Sequence, residues 1–411
     1  MTSIHVLMLV GLWSAAAVPG SAGSASSTAT QVTEPASAGH GQTTAATPEA
    51  APTITVTVAN PLGKARAHET ISVVLADVVA ATPGFDLKKA QVFDAAGKEV
   101  LSQLVDTDGD DSVNELVFQT DLAAKETKTF KLKVGQRQLA ARDDYKVYGR
   151  FVRERHDDFA WENDLIAHRM YGPDLETWAK EPLTSSGVDV WVKRVPRLIV
   201  NDWYMTDNYH QDMGEGADFY SVGKSRGLGG LGVWANGKLF VSKNFVRSRV
   251  LANGPIRLVF ELTYAPWDAG GTQVEEIKRV IVDAGSQWNR FESIFTGQKG
   301  ALAIGVGIAK HAGSTANSDA RKMRVWEPLD GGKGGNLGTA LVFPAGHLQR
   351  HDTNLEYLVV TNVPKGSLAY YAGSAWDRAG KIGDAAAWAV EVEGLAARLS
   401  APVKVSLRVD R

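Results

Sequence analysis

Ile54-Thr55-Val56-Thr57-Val58 alternates apolar and hydroxyl-bearing residues without a break. In an extended chain this pattern sends isoleucine and valine to one side and threonine to the other, the mark of a strand with one buried face. The pattern returns in Thr129–Val134 (TFKLKV), where Phe130, Leu132 and Val134 alternate with hydroxyl or lysine side chains. Ile71–Val79 (ISVVLADVV) reads as a further extended run, and Asp94-Ala95-Ala96-Gly97 as a turn. Residues 53–140 are therefore expected to form a small antiparallel sandwich.

Beyond a polar connector at Gln138–Asp144 the strand signals continue to the end of the chain. Asn236-Gly237 inside LGVWANGKLFVS reads as a hairpin turn, because both residues reach positive φ easily. A second Asn-Gly, Asn253-Gly254, precedes PIRLVFELTY, and KRVIVDAG, WNRFESIFTG, LAIGVGIAKH, EYLVVTNV and SLAYYAG follow. Long helical periodicity is nearly absent. The expected fold is all-β: the small N-terminal antiparallel sandwich, then one large β-supersandwich over 145–411.

Upstream, Val6–Val18 (VLMLVGLWSAAAV) is apolar but short for a membrane span, and small residues follow it. It reads as a signal peptide over 1–22, which places the mature protein in the periplasm or outside the cell, with no membrane insertion after cleavage. Residues 23–52 hold almost no large apolar side chains and read as a disordered tether. The formal net charge of -2 gives no basis for nucleic-acid binding. The chain has no cysteine, which excludes disulfides, thiolate nucleophiles and Cys-ligated metals.

Three constellations could carry chemistry. Asp106, Asp108 and Asp110, in Asp106–Glu115, could wrap a structural calcium ion, although the spacing departs from the EF-hand pattern; a solvated Asp-rich turn fits equally. In ERHDDFAWENDLIAHRMYGP, Arg169 and Tyr171 share one strand face and could bind a carboxylate, with Glu162 and Asn163 nearby; an internal ion-pair network is the alternative. The third joins Asp189-Val190-Trp191-Val192-Lys193 to Trp203 and to Asn208–Tyr220, NYHQDMGEGADFY. Here His210 is a candidate acid–base group with Tyr209 or Tyr220 assisting, while Glu215, Asp218 and Tyr220 are candidate substrate-binding groups; a metal held by His210, Asp212, Glu215 and Asp218, and a structural loop whose charges nearby arginines satisfy, are the alternatives. Trp191 and Trp203 could stack on sugar rings or simply belong to the core.

Gln103–Phe118, Glu154–Pro173, Ser185–Arg194, Tyr209–Gly223, Leu251–Tyr264 and Asp283–Glu292 together resemble the bacterial family called domain of unknown function 4861. The resemblance implies a secreted, carbohydrate-associated protein whose large domain is similar to the supersandwich of galactose mutarotases and several polysaccharide lyases. It implies an oligosaccharide partner bearing uronic acids. The function expected is β-elimination by a lyase or dehydratase that needs no cofactor. Arg169 or Lys193 would clamp the carboxylate, His210 would be the base, and Tyr171 or Tyr209 the acid. A glycoside hydrolase using Glu162 and Glu215, and a glycan-binding protein without catalysis, are the alternatives.

Overall fold

Ile54, Val56 and Val58 are fully buried in the strand Ile54–Ala59, as their alternation requires. The computed structural model describes residues 52–298, 300–364 and 366–410. The expected signal peptide and all of the tether except Pro52 lie outside the described residues. Strand Ile54–Ala59 sits between Thr127–Val134 and Lys404–Val409 in a five-stranded antiparallel sheet completed by Ala90–Phe93 and Glu99–Val100. A three-stranded sheet of Arg66–Val74, Glu115–Leu122 and Ser102–Val105 packs on it, with Phe118 and Phe130 in contact at 4.7 Å between ring centroids.

Two features depart from the sequence reading. The run Ile71–Val79 is a strand only to Val74 and then turns into the helix Leu75–Ala81. The alternation ends at Val74, and the alanine-containing LADVVAA places Leu75 and Val78 three apart, so both are buried on one helical face. The second departure is the strand Lys404–Val409. It belongs to the sheet of the small sandwich rather than to the large domain expected to run to 411. Thr55 and Lys131 fasten it by hydrogen bonds to Asp410 at 2.6 and 2.7 Å.

The large lobe pairs two sheets. One has eight strands, in the order Phe245–Gly254, Arg257–Asp268, Gln273–Asp283, Trp288–Thr296, Ser367–Trp376, Asn336–Val342, Lys322–Pro328 and Thr315–Ser318. The other has five: Lys238–Phe240, Leu228–Ala235, Leu302–Ala309, Glu356–Val363 and Gln349–Arg350. The main core lies between them, where Phe260 and Phe291 of the first meet Ile304 and Val306 of the second. Asn236-Gly237 forms the expected hairpin, with φ of 52° and 71°. Asn253-Gly254 instead ends a strand, and the turn falls on the next two residues, Pro255-Ile256.

A sixteen-residue helix, Ala385–Ser400, escaped the all-β reading. Its signals are present: Asp384 caps it by accepting from the Ala387 N–H, and Trp388, Val392 and Leu395 recur at helical spacing. Trp388 is fully buried, stacks on Trp288 at 5.4 Å and fills the notch above Gly338. Trp388→Ala is expected to lower the unfolding free energy by about 3–5 kcal/mol. Equilibrium urea denaturation checks this, and a loss under ~1 kcal/mol would show that the helix is only loosely attached.

Candidate functional site

The third layer is a five-stranded antiparallel sheet, ordered Gly216–Ala217, Asp189–Lys193, Ala167–Met170, Asp158–Asn163 and Val147–Val152. Its two faces follow the strand period. Phe159, Trp161, Met170, Val190 and Val192 point into the main core. Ala160, Ala167 and Trp191 point the other way, under the helix Val200–Thr206 and the loop that follows it. Asp158, Glu162, Arg169, Asp189 and Lys193 share that second face, so it carries two buried groups of charge.

At one end, Lys193 and Glu162 form a fully buried ion pair at 2.8 Å. All three ammonium hydrogens are engaged: by Glu162, by the Asn163 carbonyl at 2.9 Å and by the Arg197 carbonyl at 2.8 Å. Glu162 also accepts from the Ile199 and Val200 N–H groups, both at 2.8 Å, and so caps the covering helix. Asn163 closes a turn, accepting from Leu165 and Ile166 and donating to the carbonyls of Asp283 and Ser286. These three residues hold the fold together. Burial and saturated partners leave Lys193 no donor for a substrate carboxylate, and leave Glu162 and Asn163 no access to a sugar.

At the other end, Arg169 stands among three aspartates. Its Nε donates to Asp189 at 2.7 Å and Nη2 to Asp218 at 2.8 Å, while Nη1 lies 3.5 Å from Asp158 and 3.4 Å from the Tyr209 hydroxyl. The rings of Tyr171, Trp191 and Tyr209 surround the guanidinium at 5.5–5.6 Å. Burial disfavours its charge, but Asp189 and Asp218 outweigh that and hold its pKa above the ordinary arginine value. Three carboxylates against one cation cannot all stay ionised in a dry site. Burial pushes the Asp158 carboxyl up to about 7 against the pull of Arg169, and one of its oxygens has no partner. Burial, then the charge of Asp189, raises Asp218 as well. The phenols of Tyr171 and Tyr209 are raised, chiefly by burial. Arg169 is thus occupied by protein carboxylates and is a positioning group rather than a clamp.

His210 is the solvent-facing member, its side chain 61 % exposed. Its Nδ1 lies 3.4 Å from the Asp218 carbonyl and 3.6 Å from Asp218 Oδ2, and its ring lies 4.6 Å from Tyr209. Asp212 closes the same loop by accepting from the N–H groups of Gly214 and Gly216. Trp191 is sandwiched by Trp203 at 5.4 Å and Tyr209 at 4.9 Å, so both indoles serve the inner stack rather than an open sugar platform. Glu215 is held by both arms of Arg197, at 2.7 and 2.6 Å. Tyr220 lies apart from this group. Its ring meets His311 edge-on at 5.1 Å and its buried hydroxyl has no partner.

Sequence reasoning missed several neighbours. The Arg155 guanidinium lies over the rings of Trp178 and Tyr209 at 5.1 and 5.8 Å, and its buried Nε has no partner. His156 and Asp157 follow with positive φ of 44° and 69°, a strained pair in a sparsely populated region. Gly172 packs against that turn so closely that a Cβ there would lie 1.9 Å from the Asp157 carbonyl oxygen. The string Gly223-Lys224-Ser225-Arg226-Gly227 also has the spacing of a nucleophile elbow. Ser225 is buried, however, its hydroxyl joining the Val222 carbonyl and the Gly227 N–H, and no helix follows it.

Asp106, Asp108 and Asp110 bring carboxylate oxygens within 4.8 Å of one another and could hold a cation. Asp106 already accepts from the N–H groups of Asp108, Gly109 and Asp111. No described helix is long and apolar enough to cross a membrane.

An all-β chain with a buried arginine–aspartate cluster under an exposed histidine is the class that fold and site define. The family described as a domain of unknown function, DUF4861, matches residues 58–405, and the chain belongs to it. An uncharacterized protein, P7, of Formosa agariphila is 34% identical over 377 residues, spanning 86% of this chain and 93% of that one. Among solved structures, an alpha-mannosidase from Enterococcus faecalis V583 aligns with a TM-score of 0.49 at 10% identity, covering 87% of this chain and 46% of the mannosidase. A glycosyl hydrolase family 38 protein from Enterococcus faecalis aligns at 0.43 and 11% identity, covering 87% and 47%. The chain thus spans about half the length of those two proteins, and likeness this distant leaves the chemistry to the chain's own residues.

The raised Asp158 carboxyl gives a pH signature. In the unfolded chain it loses its proton near ~4, while the folded protein keeps it to about 7. Its contribution to stability is full below the unfolded value and is lost as pH rises through the folded one. Asp158→Asn, an uncharged isostere, is expected to remove that loss. By urea denaturation it should match the parent near pH ~4 and exceed it by on the order of 4 kcal/mol near pH ~8. Parallel pH profiles for the two proteins would rule out this account of the cluster.

Proposed function

We propose that the protein is an exported carbohydrate-active enzyme that acts on uronate-containing oligosaccharides by β-elimination, as a lyase or dehydratase. One observation carries the reading: an exposed imidazole, His210, has its Nδ1 3.4 Å from the main-chain carbonyl of Asp218, a residue that the buried Arg169 guanidinium holds in place through its side chain. An imidazole oriented by an Nδ1–H that donates to a main-chain carbonyl keeps Nε2 for a substrate proton, the logic of an oriented general base. The apolar run Val6–Val18 supports export. The resemblance described above supports the substrate class.

Elimination from a uronate needs three parts. His210 takes the C5 proton, and the electrons of that bond form the C4–C5 double bond. The C4–O bond breaks, and an acid protonates the departing oxygen. Tyr209 is the candidate acid: its ring lies 4.6 Å from that of His210, and burial raises its pKa, which keeps the phenol protonated. Tyr171, the other acid expected from the sequence, is buried in the main core behind the Arg169 guanidinium and has no path to a bound sugar. The substrate carboxylate needs a cation to stabilise the enolate-like state. Arg155 is the nearest other guanidinium, lying over the Tyr209 ring at 5.8 Å, and it would have to exchange its exposed partner Glu181, 2.6 Å away, for the substrate carboxylate.

The test is an absorbance time course in the near-ultraviolet band of unsaturated uronates, using uronate oligosaccharides and purified protein. The parent should produce a rise, and His210→Ala should slow it at least ~100-fold. An unchanged rate in His210→Ala would remove His210 from the chemistry. Saccharide release without the ultraviolet product would mean hydrolysis, and then not by a Glu162–Glu215 pair, since Glu162 is sealed under its helix.

A further inference from the structure

His311, just beyond strand Leu302–Ala309, stands between a carboxylate and a main-chain carbonyl. Its Nδ1 lies 2.5 Å from Glu327 Oε2, in strand Lys322–Pro328, and its Nε2 lies 2.7 Å from the Ser221 carbonyl. A neutral imidazole carries one N–H. Both bonds therefore exist together only while the His311–Glu327 pair holds one proton more than a neutral imidazole and a carboxylate do. Glu327 is fully buried, its other oxygen has no partner, and among the described residues no lysine or arginine pairs with it. Tyr220 meets the imidazole edge-on at 5.1 Å; burial raises its phenol, and the charges of Glu327 and Asp189 add to this. Lys310, beside His311 in the chain, is directed over the Tyr357 ring at 5.4 Å. Burial alone would lower the His311 pKa, but the bond to Glu327 and its charge, and then the Ser221 carbonyl, outweigh it and hold the imidazole above the ordinary histidine value.

Ser221 ends the loop that carries Tyr209, His210 and Asp218. Arg169 holds this loop at Asp218, and the His311 bond ties it at Ser221 to the strands of the two main sheets. The other titratable groups along the loop lie toward the Arg169 end: His210, Asp158 and Asp218 there, with Asp212 and Glu215 paired to Arg194 and Arg197. If the His311–Glu327 pair loses its extra proton, one of its two bonds must go. A buried carboxylate left without a partner costs more than a lost bond to the carbonyl of an exposed residue, so the remaining N–H stays with Glu327 and Ser221 is released. We infer that His311 and Glu327 are positioning residues for His210, the proton they share latching Ser221 and so setting the loop on which His210 stands. The inference rests on the reading of His210 as the base. The latch is closed while the pair keeps its proton and opens as pH rises.

Amide hydrogen exchange on the full chain tests this, read over residues 218–222 from pH ~6 to ~9 and corrected for the intrinsic rate at each pH. Protection in the parent should fall about tenfold or more as the latch opens. Glu327→Gln keeps an acceptor for the Nδ1–H but removes the charge, so the midpoint should move down by about one pH unit or more. His311→Phe combined with Glu327→Leu replaces the buried pair by apolar side chains and should leave residues 218–222 unprotected at every pH in a chain that still unfolds cooperatively in urea. Should that double variant fail to fold, the midpoint of Glu327→Gln decides alone. His210→Ala and Asp158→Asn should keep the parent's midpoint, which assigns it to His311 and Glu327. In the elimination assay, kcat of the parent should fall with the same midpoint and follow it in Glu327→Gln. A transition in exchange without ultraviolet product supports the latch and counts against the proposed reaction alone. The inference is overturned if protection in the parent does not change with pH, if the folded double variant keeps it, or if the midpoint is lost in His210→Ala or Asp158→Asn. It is equally overturned if kcat ignores the shift that Glu327→Gln makes in the loop.

Discussion

Arg169 and the three aspartates around it set the terms for everything nearby. A single guanidinium, nearly sealed from water, must satisfy carboxylates arriving from three separate segments, at Asp158, Asp189 and Asp218. Removing the cation would leave several buried carboxylates uncompensated, the situation that is most costly in a low-dielectric interior. The cluster therefore ties the central strands to the Tyr209–Tyr220 loop and determines where that loop lies. The position of the exposed His210 is a product of charge balance beneath it.

The same sheet face carries a second charged pair, and the contrast between the two is informative. Lys193 and Glu162 match one to one, and their own charged atoms all find partners, among them the first N–H groups of the covering helix. The Arg169 group is unbalanced, with more carboxylate than cation and one oxygen of Asp158 unpaired. A balanced pair locks a structure. An unbalanced one stores protons whose affinity responds to the surroundings, which is the property that acid–base chemistry uses.

Strand content was legible because period two survives in the residues themselves, as in Ile54–Val58. The convergence of Arg169, Tyr209, His210 and Asp218 was legible only as a list of suitable side chains; the sheet register that places Arg169 opposite Asp189 is a tertiary fact. What failed was accessibility. Nothing in the spacing of Glu162, Lys193 or Trp191 distinguishes a binding surface from a buried layer, since the same residue types serve both. Backbone strain at His156-Asp157 and the two acceptors that face His311 leave no trace in composition. The helix Ala385–Ser400 was hidden differently: its alanines blur the contrast between faces, although its cap and its apolar spacing were available.

The small sandwich is closed by the strand Lys404–Val409, which pairs with Ile54–Ala59. Among the described residues, the first strand must therefore wait for the last before its sheet is complete. Until then one edge of Ile54–Ala59 presents unpaired backbone groups, a template for wrong partners. The contact joins remote parts of the chain, so its loop-closure entropy is met late and folding is slow by topology.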